Sequence, residues 1–152
     1  MSSIDTDILI IGGGLVGASL ACALAPLGYH VTLLEAATPR SASPPSYDDR
    51  TLALGRASCL ILRALGLWSL LDENATPIRQ VSVTELGRPG RVLMDAQELG
   101  LDCFGNVIEA RVFGRAVMQQ VNTLQGFEML CPFRAESLDT LDHAVRVTAV
   151  GE

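Results

Sequence analysis

The chain has 152 residues, 49% of them hydrophobic and 18% charged, which is enough apolar material for the core of one ordinary domain and argues against a disordered chain. Its net charge is -6 and it contains no lysine, so nucleic acid is a poor candidate partner. Four widely spaced cysteines and two histidines argue against a metal site and predict reduced, buried thiols in a cytoplasmic protein.

The first feature along the chain is the stretch between Asp7 and Glu35, which contains no Asp, Glu, Lys or Arg and is long enough to cross a membrane. A secretory signal would need a basic start, which is missing here. A spanning helix would have to tolerate three consecutive glycines near one end and Pro26 near the other. We therefore predict three shorter elements: a buried strand at Asp7–Ile11, a helix from about Ala18 to Leu27, and a strand at Tyr29–Leu34.

The loop between the first strand and the helix, Gly12-Gly13-Gly14-Leu15-Val16-Gly17, fits the Gly-x-Gly-x-x-Gly pattern of dinucleotide-binding folds. Gly12 permits the tight turn, Gly14 lets the backbone approach a pyrophosphate, and Gly17 lets the helix pack close to the sheet. The helix start offers amides and the positive end of its dipole to the anion. Glu35 is placed to bind ribose hydroxyls and would repel a 2'-phosphate, which favours FAD or NAD over NADP. A purely structural glycine turn is the alternative.

The next part of the chain predicts a loop and a helix. Residues 36–50 are rich in proline and serine, which predicts a surface loop without regular structure. The leucines between Leu60 and Leu71 recur with helical spacing, interrupted at Gly66. Trp68 in this segment is interpreted as a packing residue.

The last part of the chain predicts strands and one more helix. Alternating polarity predicts a hairpin with strands at 79–85 and 91–95, and the apolar spacing at Arg111–Leu124 predicts a helix with one buried face. Phe127–Cys131 is interpreted as a third parallel strand, and residues 134–152 as two antiparallel strands.

Four segments together carry a family resemblance: "ILIIGGGLVGASLACALAPLGYHVTLLE", "DDRTLALGRASCLILRALGLW", "GNVIEARVFGRAVMQQV" and "CPFRAESLDTLDHAVRVT". They resemble the start of the FAD-dependent aromatic hydroxylases of ubiquinone biosynthesis, most closely the 2-octaprenyl-6-methoxyphenol hydroxylases, within the para-hydroxybenzoate-hydroxylase-like flavoprotein monooxygenases. The segment from Asp49 to Leu54 is more specific to this family than the glycine motif. The resemblance implies an α/β, Rossmann-like FAD-binding fold with a central parallel sheet, plus an antiparallel hairpin at about 78–95 that belongs to a substrate sheet.

The resemblance also implies roles for individual residues at the cofactor. Glu35 would bind the adenosine ribose of FAD, and Arg50 would reach the flavin side, where a guanidinium offers a fork of donors. The alternative for Arg50 is an exposed loop arginine paired with Asp48 or Asp49. Arg111 lies where the family has a residue near the cofactor. The residues implied at the pyrophosphate are Gly12, Gly14 and the amides of Leu15 and Val16, and Gly17 completes the implied cofactor-binding set.

The activity implied by the resemblance is monooxygenation of a prenylated phenol by FAD and O2, with NADPH as a transient reductant, and no side chain of this chain is expected to be a catalytic acid, base or metal ligand. Peripheral association with the inner face of the membrane and assembly with other ubiquinone-biosynthesis proteins stay open. The family's later cofactor motifs do not occur before Glu152, so we expect an N-terminal portion, incomplete at its C-terminus and inactive alone. Another FAD- or NAD-dependent oxidoreductase and a noncatalytic dinucleotide-binding module are the alternatives.

Overall fold

The structure, a computed structural model, describes residues 3–37 and 50–151, so the predicted proline- and serine-rich loop lies almost entirely outside the described residues. Two compact units divide the chain. The first unit consists of residues 1–48 and 113–152, and the second unit consists of residues 49–112.

The described ranges contain ten strands, three α-helices and four single turns of 3-10 helix. The strands are β1 (Ile8–Ile11), β2 (Val31–Leu34), β3 (Thr51–Gly55), β4 (Thr76–Ile78), β5 (Gln80–Thr84), β6 (Arg91–Asp95), β7 (Gly105–Glu109), β8 (Phe127–Leu130), β9 (Phe133–Thr140) and β10 (Val145–Gly151). The helices are α1 (Leu15–Leu24), α2 (Arg56–Ala64) and α3 (Ala110–Val121). The 3-10 turns are Ala25–Leu27, Trp68–Leu70, Asp72–Asn74 and Gln97–Leu99.

A parallel sheet with the order β1-β2-β8 forms the centre of the first unit. All four residues of the middle strand β2 are buried, Thr32 included, as expected from the uncharged stretch that contains it. Helix α1 buries the small side chains of Ala18, Ala21 and Cys22, which permit a close approach of the helix to its neighbours. The strand, glycine turn, helix and strand predicted for this segment are confirmed, as is the third parallel strand at β8. The helix starts at Leu15, earlier than expected, because Gly14 already acts as its N-cap.

In the second unit, β3 and β4 both pair antiparallel with β7. None of these three strands was predicted. Helix α2 ends at Ala64, and Gly66 has a φ of +73°, a left-handed conformation that stops the helix where the interruption was expected. The predicted packing role of Trp68 is confirmed, because its ring is buried and its Nε1 donates to Asp72 Oδ1 at 2.7 Å.

Both predicted hairpins are present. Strands β5 and β6 pair antiparallel in the second unit, and β9 and β10 do so in the first unit. The β5–β6 hairpin exposes the apolar side chains of Val83, Val92 and Leu93.

The four thiols are free, but only Cys22 and Cys59 are buried, so the prediction of buried cysteines is wrong for Cys103 and Cys131. Across residues 3–37 and 50–151, no cluster of His, Cys, Asp and Glu side chains could hold a metal ion. No helix within the described ranges is long and apolar enough to cross a membrane.

The buried thiol of Cys22 should make the free energy of unfolding depend on pH. Burial raises the pKa of Cys22 from 9.0 to about 11, which outweighs the lowering effect of its backbone hydrogen bond. Because the folded-state pKa is the higher one, this contribution to stability is complete below pH 9 and is lost as the pH rises toward 11. Between these pH values, urea unfolding should show stability falling more steeply for the wild type than for Cys22→Ala. Parallel curves would contradict the prediction.

Candidate functional site

The glycine loop connects β1 to α1 through a turn that depends on Gly12. This residue has a φ of +103°, which residues with a side chain rarely adopt. Its N–H donates to the carbonyl oxygen of Leu34 at 2.8 Å and ties the loop to the end of β2. The loop therefore lies at the carboxyl end of two parallel strands, the usual ligand-binding edge of such sheets.

Close packing between the loop and α1 depends on Gly17. A Cβ atom at this position would lie 2.0 Å from the carbonyl oxygen of Gly12 and 3.2 Å from Ile10 Cγ2. The absence of a side chain at Gly17 is therefore a requirement of this backbone geometry.

Gly14 leaves open space in front of the start of α1. Its backbone is extended and caps the helix, and its carbonyl oxygen accepts the N–H of Ala18 at 3.0 Å. Apart from Gly14 itself and its two chain neighbours, no described residue has an atom within 4 Å of the point where a Cβ would stand. The N–H groups of Leu15 and Val16 belong to the first helical turn, which contains no acidic side chain and has no intrahelical acceptors for its donors. This edge of the first unit therefore fits a pyrophosphate.

Glu35 follows β2 directly, and its half-buried carboxylate faces the glycine loop. Oε2 accepts the N–H of Gly13 at 2.6 Å, and Oε1 accepts the N–H of Ala37 at 2.7 Å. The backbone of Glu35 is held as well, since its N–H donates to the carbonyl oxygen of Leu130 at 3.0 Å and its carbonyl oxygen accepts the N–H of Phe133 at 2.8 Å. A carboxylate oxygen can accept more than one hydrogen bond, so both oxygens retain capacity for ribose hydroxyls.

Cys131 lies beside this carboxylate. Its Sγ donates to the carbonyl oxygen of Ala37 at 3.3 Å. Partial burial raises the pKa of the Cys131 thiol, and the negative charge of Glu35 raises it further. The thiol therefore stays protonated near neutral pH and adds no second negative charge to the site.

The two arginines predicted near the cofactor are neighbours within the second unit. The carbonyl oxygen of Arg50, just before β3, accepts the N–H of Ala110 at 2.9 Å. Arg111 is the next residue of α3, and its Nε donates to Glu109 Oε2. The structure thus brings Arg50 and Arg111 to the same end of the β3–β7 pair. Asp48 and Asp49, the alternative partners of Arg50, lie outside the described residues.

The predicted residues therefore form two groups, the glycine loop with Glu35 in the first unit and the two arginines in the second. Sequence reasoning assigned no role to Gly13, although this residue makes the direct bond to Glu35. A signal for it was present in the sequence, since the motif requires only two of the three consecutive glycines.

Comparison with known proteins supports FAD as the cofactor. The profile of the family described as FAD binding domain matches residues 5–136. Ubiquinone hydroxylase UbiL of Rhodospirillum rubrum is 35% identical over 132 residues, an alignment that covers 87% of this chain and 30% of that protein. The 3-demethoxyubiquinol 3-hydroxylase of Escherichia coli K12 is 36% identical over 121 residues, which cover 78% of this chain and 31% of that protein.

A solved structure supports the fold. The p-nitrophenol 4-monooxygenase PnpA of Pseudomonas putida DLL-E4 superposes with a TM-score of 0.80 at 21% identity, covering 99% of this chain and 38% of that one. The chain spans about a third of the length of the curated relatives it matches. Because the family profile extends over most of its sequence, the chain belongs to the FAD binding domain family.

Proposed function

We propose that this chain is the FAD-binding portion of a flavin-dependent aromatic hydroxylase that acts on a prenylated phenol in ubiquinone biosynthesis. The observation that carries the proposal is the hydrogen bond from the Gly13 N–H to Glu35 Oε2 at 2.6 Å. It supports the proposal because it holds the Glu35 carboxylate against the glycine loop that leads into α1, as binding of both ribose and pyrophosphate would require, within a segment that belongs to an FAD-binding family. The similarity to ubiquinone hydroxylase UbiL and to 3-demethoxyubiquinol 3-hydroxylase supports the ubiquinone pathway.

The residues of this chain would bind and orient the cofactor. The N–H groups of Leu15 and Val16 bind the pyrophosphate, while Gly14 keeps its path clear. Glu35 accepts hydrogen bonds from the adenosine ribose. When bound, FAD supplies the redox chemistry that places one oxygen atom of O2 on an aromatic ring, with NADPH as reductant.

Arg50 and Arg111 belong to the flavin side of the proposed site. Their positions at one end of the β3–β7 pair support a shared role in binding ribityl or phosphate oxygens. The β5–β6 hairpin, within residues 78–95, belongs to the substrate sheet in this proposal, and its exposed Val83, Val92 and Leu93 suit a hydrophobic phenol. Peripheral contact with the inner face of the membrane and assembly with other ubiquinone-biosynthesis proteins complete the proposal for the intact enzyme.

Calorimetric titration of the chain with FAD, ADP and NAD in parallel tests this function. We expect the dissociation constant for FAD to be at least about tenfold lower than for ADP, because Arg50 and Arg111 add contacts that ADP cannot use. Arg50→Ala should reduce this preference for FAD and leave the affinity for ADP unchanged. Equal affinity for all three ligands would reduce the function to generic dinucleotide binding, and no binding to any of them would contradict the proposal.

A further inference from the structure

Gly13 occupies a position that the dinucleotide-binding motif leaves unspecified. Its backbone φ is not positive, so the position does not require glycine for conformational reasons. The requirement is spatial. A Cβ atom there would lie 2.9 Å from Leu33 Cδ2, 3.1 Å from Glu35 Cβ and 3.1 Å from Glu35 Oε2.

Leu33 cannot move aside at low cost. It is 1% exposed and lies in β2, the middle strand of the parallel sheet, with β1 on one side and β8 on the other. Side chains in such close-packed positions have few alternative rotamers. A methyl group at residue 13 would therefore push against Glu35 and separate the Gly13 N–H from Oε2.

We propose that Gly13 is a positioning residue that fixes the carboxylate of Glu35 for the hydroxyls of the adenosine ribose. The inference rests on the proposed function, since it assumes a ribose-containing ligand. The N–H of Gly13 holds Oε2, the N–H of Ala37 holds Oε1, and the missing side chain at Gly13 allows the 2.6 Å contact. A carboxylate held at both oxygens meets its ligand in one orientation, so little side-chain entropy is lost on binding.

The ligand test compares ADP with 2',3'-dideoxy-ADP, which lacks both ribose hydroxyls, on the 152-residue chain. Wild type should bind ADP about tenfold more tightly than the dideoxy analogue. In Gly13→Ala this ratio should fall toward one, because the displaced carboxylate no longer meets the hydroxyls. A purely structural role would weaken both ligands equally and leave the ratio unchanged, which would overturn the inference.

A double-mutant cycle separates action through Glu35 from other effects. Glu35→Ala should also reduce the ratio toward one, and adding Gly13→Ala should then change it no further. Additive effects would show that Gly13 acts independently of Glu35. Gly55→Ala is the matched control, because a Cβ there meets no described atom within 4 Å and its φ of -66° suits alanine. This control should keep the wild-type ratio.

A measurement without ligand tests the two hydrogen bonds that hold the Glu35 carboxylate. In NMR spectra of the wild type, the amide protons of Gly13 and Ala37 should resonate downfield, as charge-assisted hydrogen bonds require, and Glu35→Gln should move both upfield. Unchanged chemical shifts in this variant would show that the Glu35 carboxylate is not held by these amides, and would overturn the inference. If Gly13→Ala fails to fold, these shifts and the ADP ratio of Glu35→Gln decide instead. Failure of the wild type to bind ADP would overturn the proposed function and, with it, the role of Glu35 in ribose binding. The amide chemical shifts would still test whether Gly13 and Ala37 hold the carboxylate.

Discussion

Gly17→Ala is expected to abolish FAD binding and to lower the free energy of unfolding by about 1–3 kcal/mol, the usual cost of overpacking. The added Cβ would lie 2.0 Å from the carbonyl oxygen of Gly12, which is a backbone atom and cannot rotate away. Either α1 must move off the sheet or the turn at Gly12 must open, and both changes would separate the proposed pyrophosphate donors from Glu35. Urea unfolding and FAD titration of the variant measure the two effects.

Gly14→Ala is the matched control for this prediction, since it adds the same methyl group in the same loop but in open space. Its stability should stay within about 1 kcal/mol of the wild type, because the loss of the glycine N-cap is partly offset by a less flexible unfolded chain. Its affinity for FAD should nevertheless fall, since the methyl group would stand in the path proposed for the pyrophosphate. If Gly17→Ala were as stable as the wild type, the close approach of Gly17 to the carbonyl oxygen of Gly12 would be contradicted.

Gly105→Ala should have a comparable effect in the second unit. The new Cβ would lie 2.1 Å from the carbonyl oxygen of Leu54 and 3.0 Å from the Cα of Gly55. Because β7 pairs with both β3 and β4, a shift away from Leu54 disturbs both ladders. We expect a loss of about 1–3 kcal/mol in the free energy of unfolding. The fluorescence of Trp68, which is buried in the same unit, can follow the transition.

Gly55 provides the comparison, because it lies opposite Gly105 in the register of β3 and β7. A Cβ at Gly55 meets no described atom within 4 Å, so Gly55→Ala should unfold at nearly the wild-type urea concentration. Equal midpoints for the two variants would contradict the close approach at Gly105. The pair separates the effect of strand contact from the general effect of replacing glycine by alanine.

The sequence predicted the strands of the first unit better than those of the second, because the patterns that indicate them form one long continuous run. The run from Ile8 to Leu34 combines two buried strands with a glycine motif, so each element restricts the interpretation of the next. Strand β3 has only five residues, which alternate between exposed and half-buried positions, and it directly precedes α2. The helical spacing of the neighbouring leucines therefore dominated the interpretation of this segment. Strands β4 and β7 depend on pairing across the unit, which no local pattern encodes.

The residues of the candidate site likewise divide into those that the sequence could predict and those that depend on tertiary contacts. The motif singled out Gly12, Gly14, Gly17 and Glu35 because the roles proposed for them follow from backbone conformation and chain spacing. The role of Gly13 follows instead from contact with the side chain of Leu33, 20 residues away in the sequence but adjacent in space. The placement of Arg50 beside Arg111 likewise follows from the pairing of β3 with β7. Such contacts arise only once the strands are assembled.

The position of β2 between β1 and β8 affects how the protein is made. Strand β2 ends at Leu34, whereas β8 starts at Phe127, and the backbone partners of Glu35 are Leu130 and Phe133. At ribosomal rates of about 5–20 residues per second, the chain waits about 5–20 s between synthesis of the two strands. During that interval one hydrogen-bonding edge of β2, whose four residues are all buried in the folded chain, has no native partner. The nascent chain therefore passes through a state that chaperones can recognise before its cofactor site is complete.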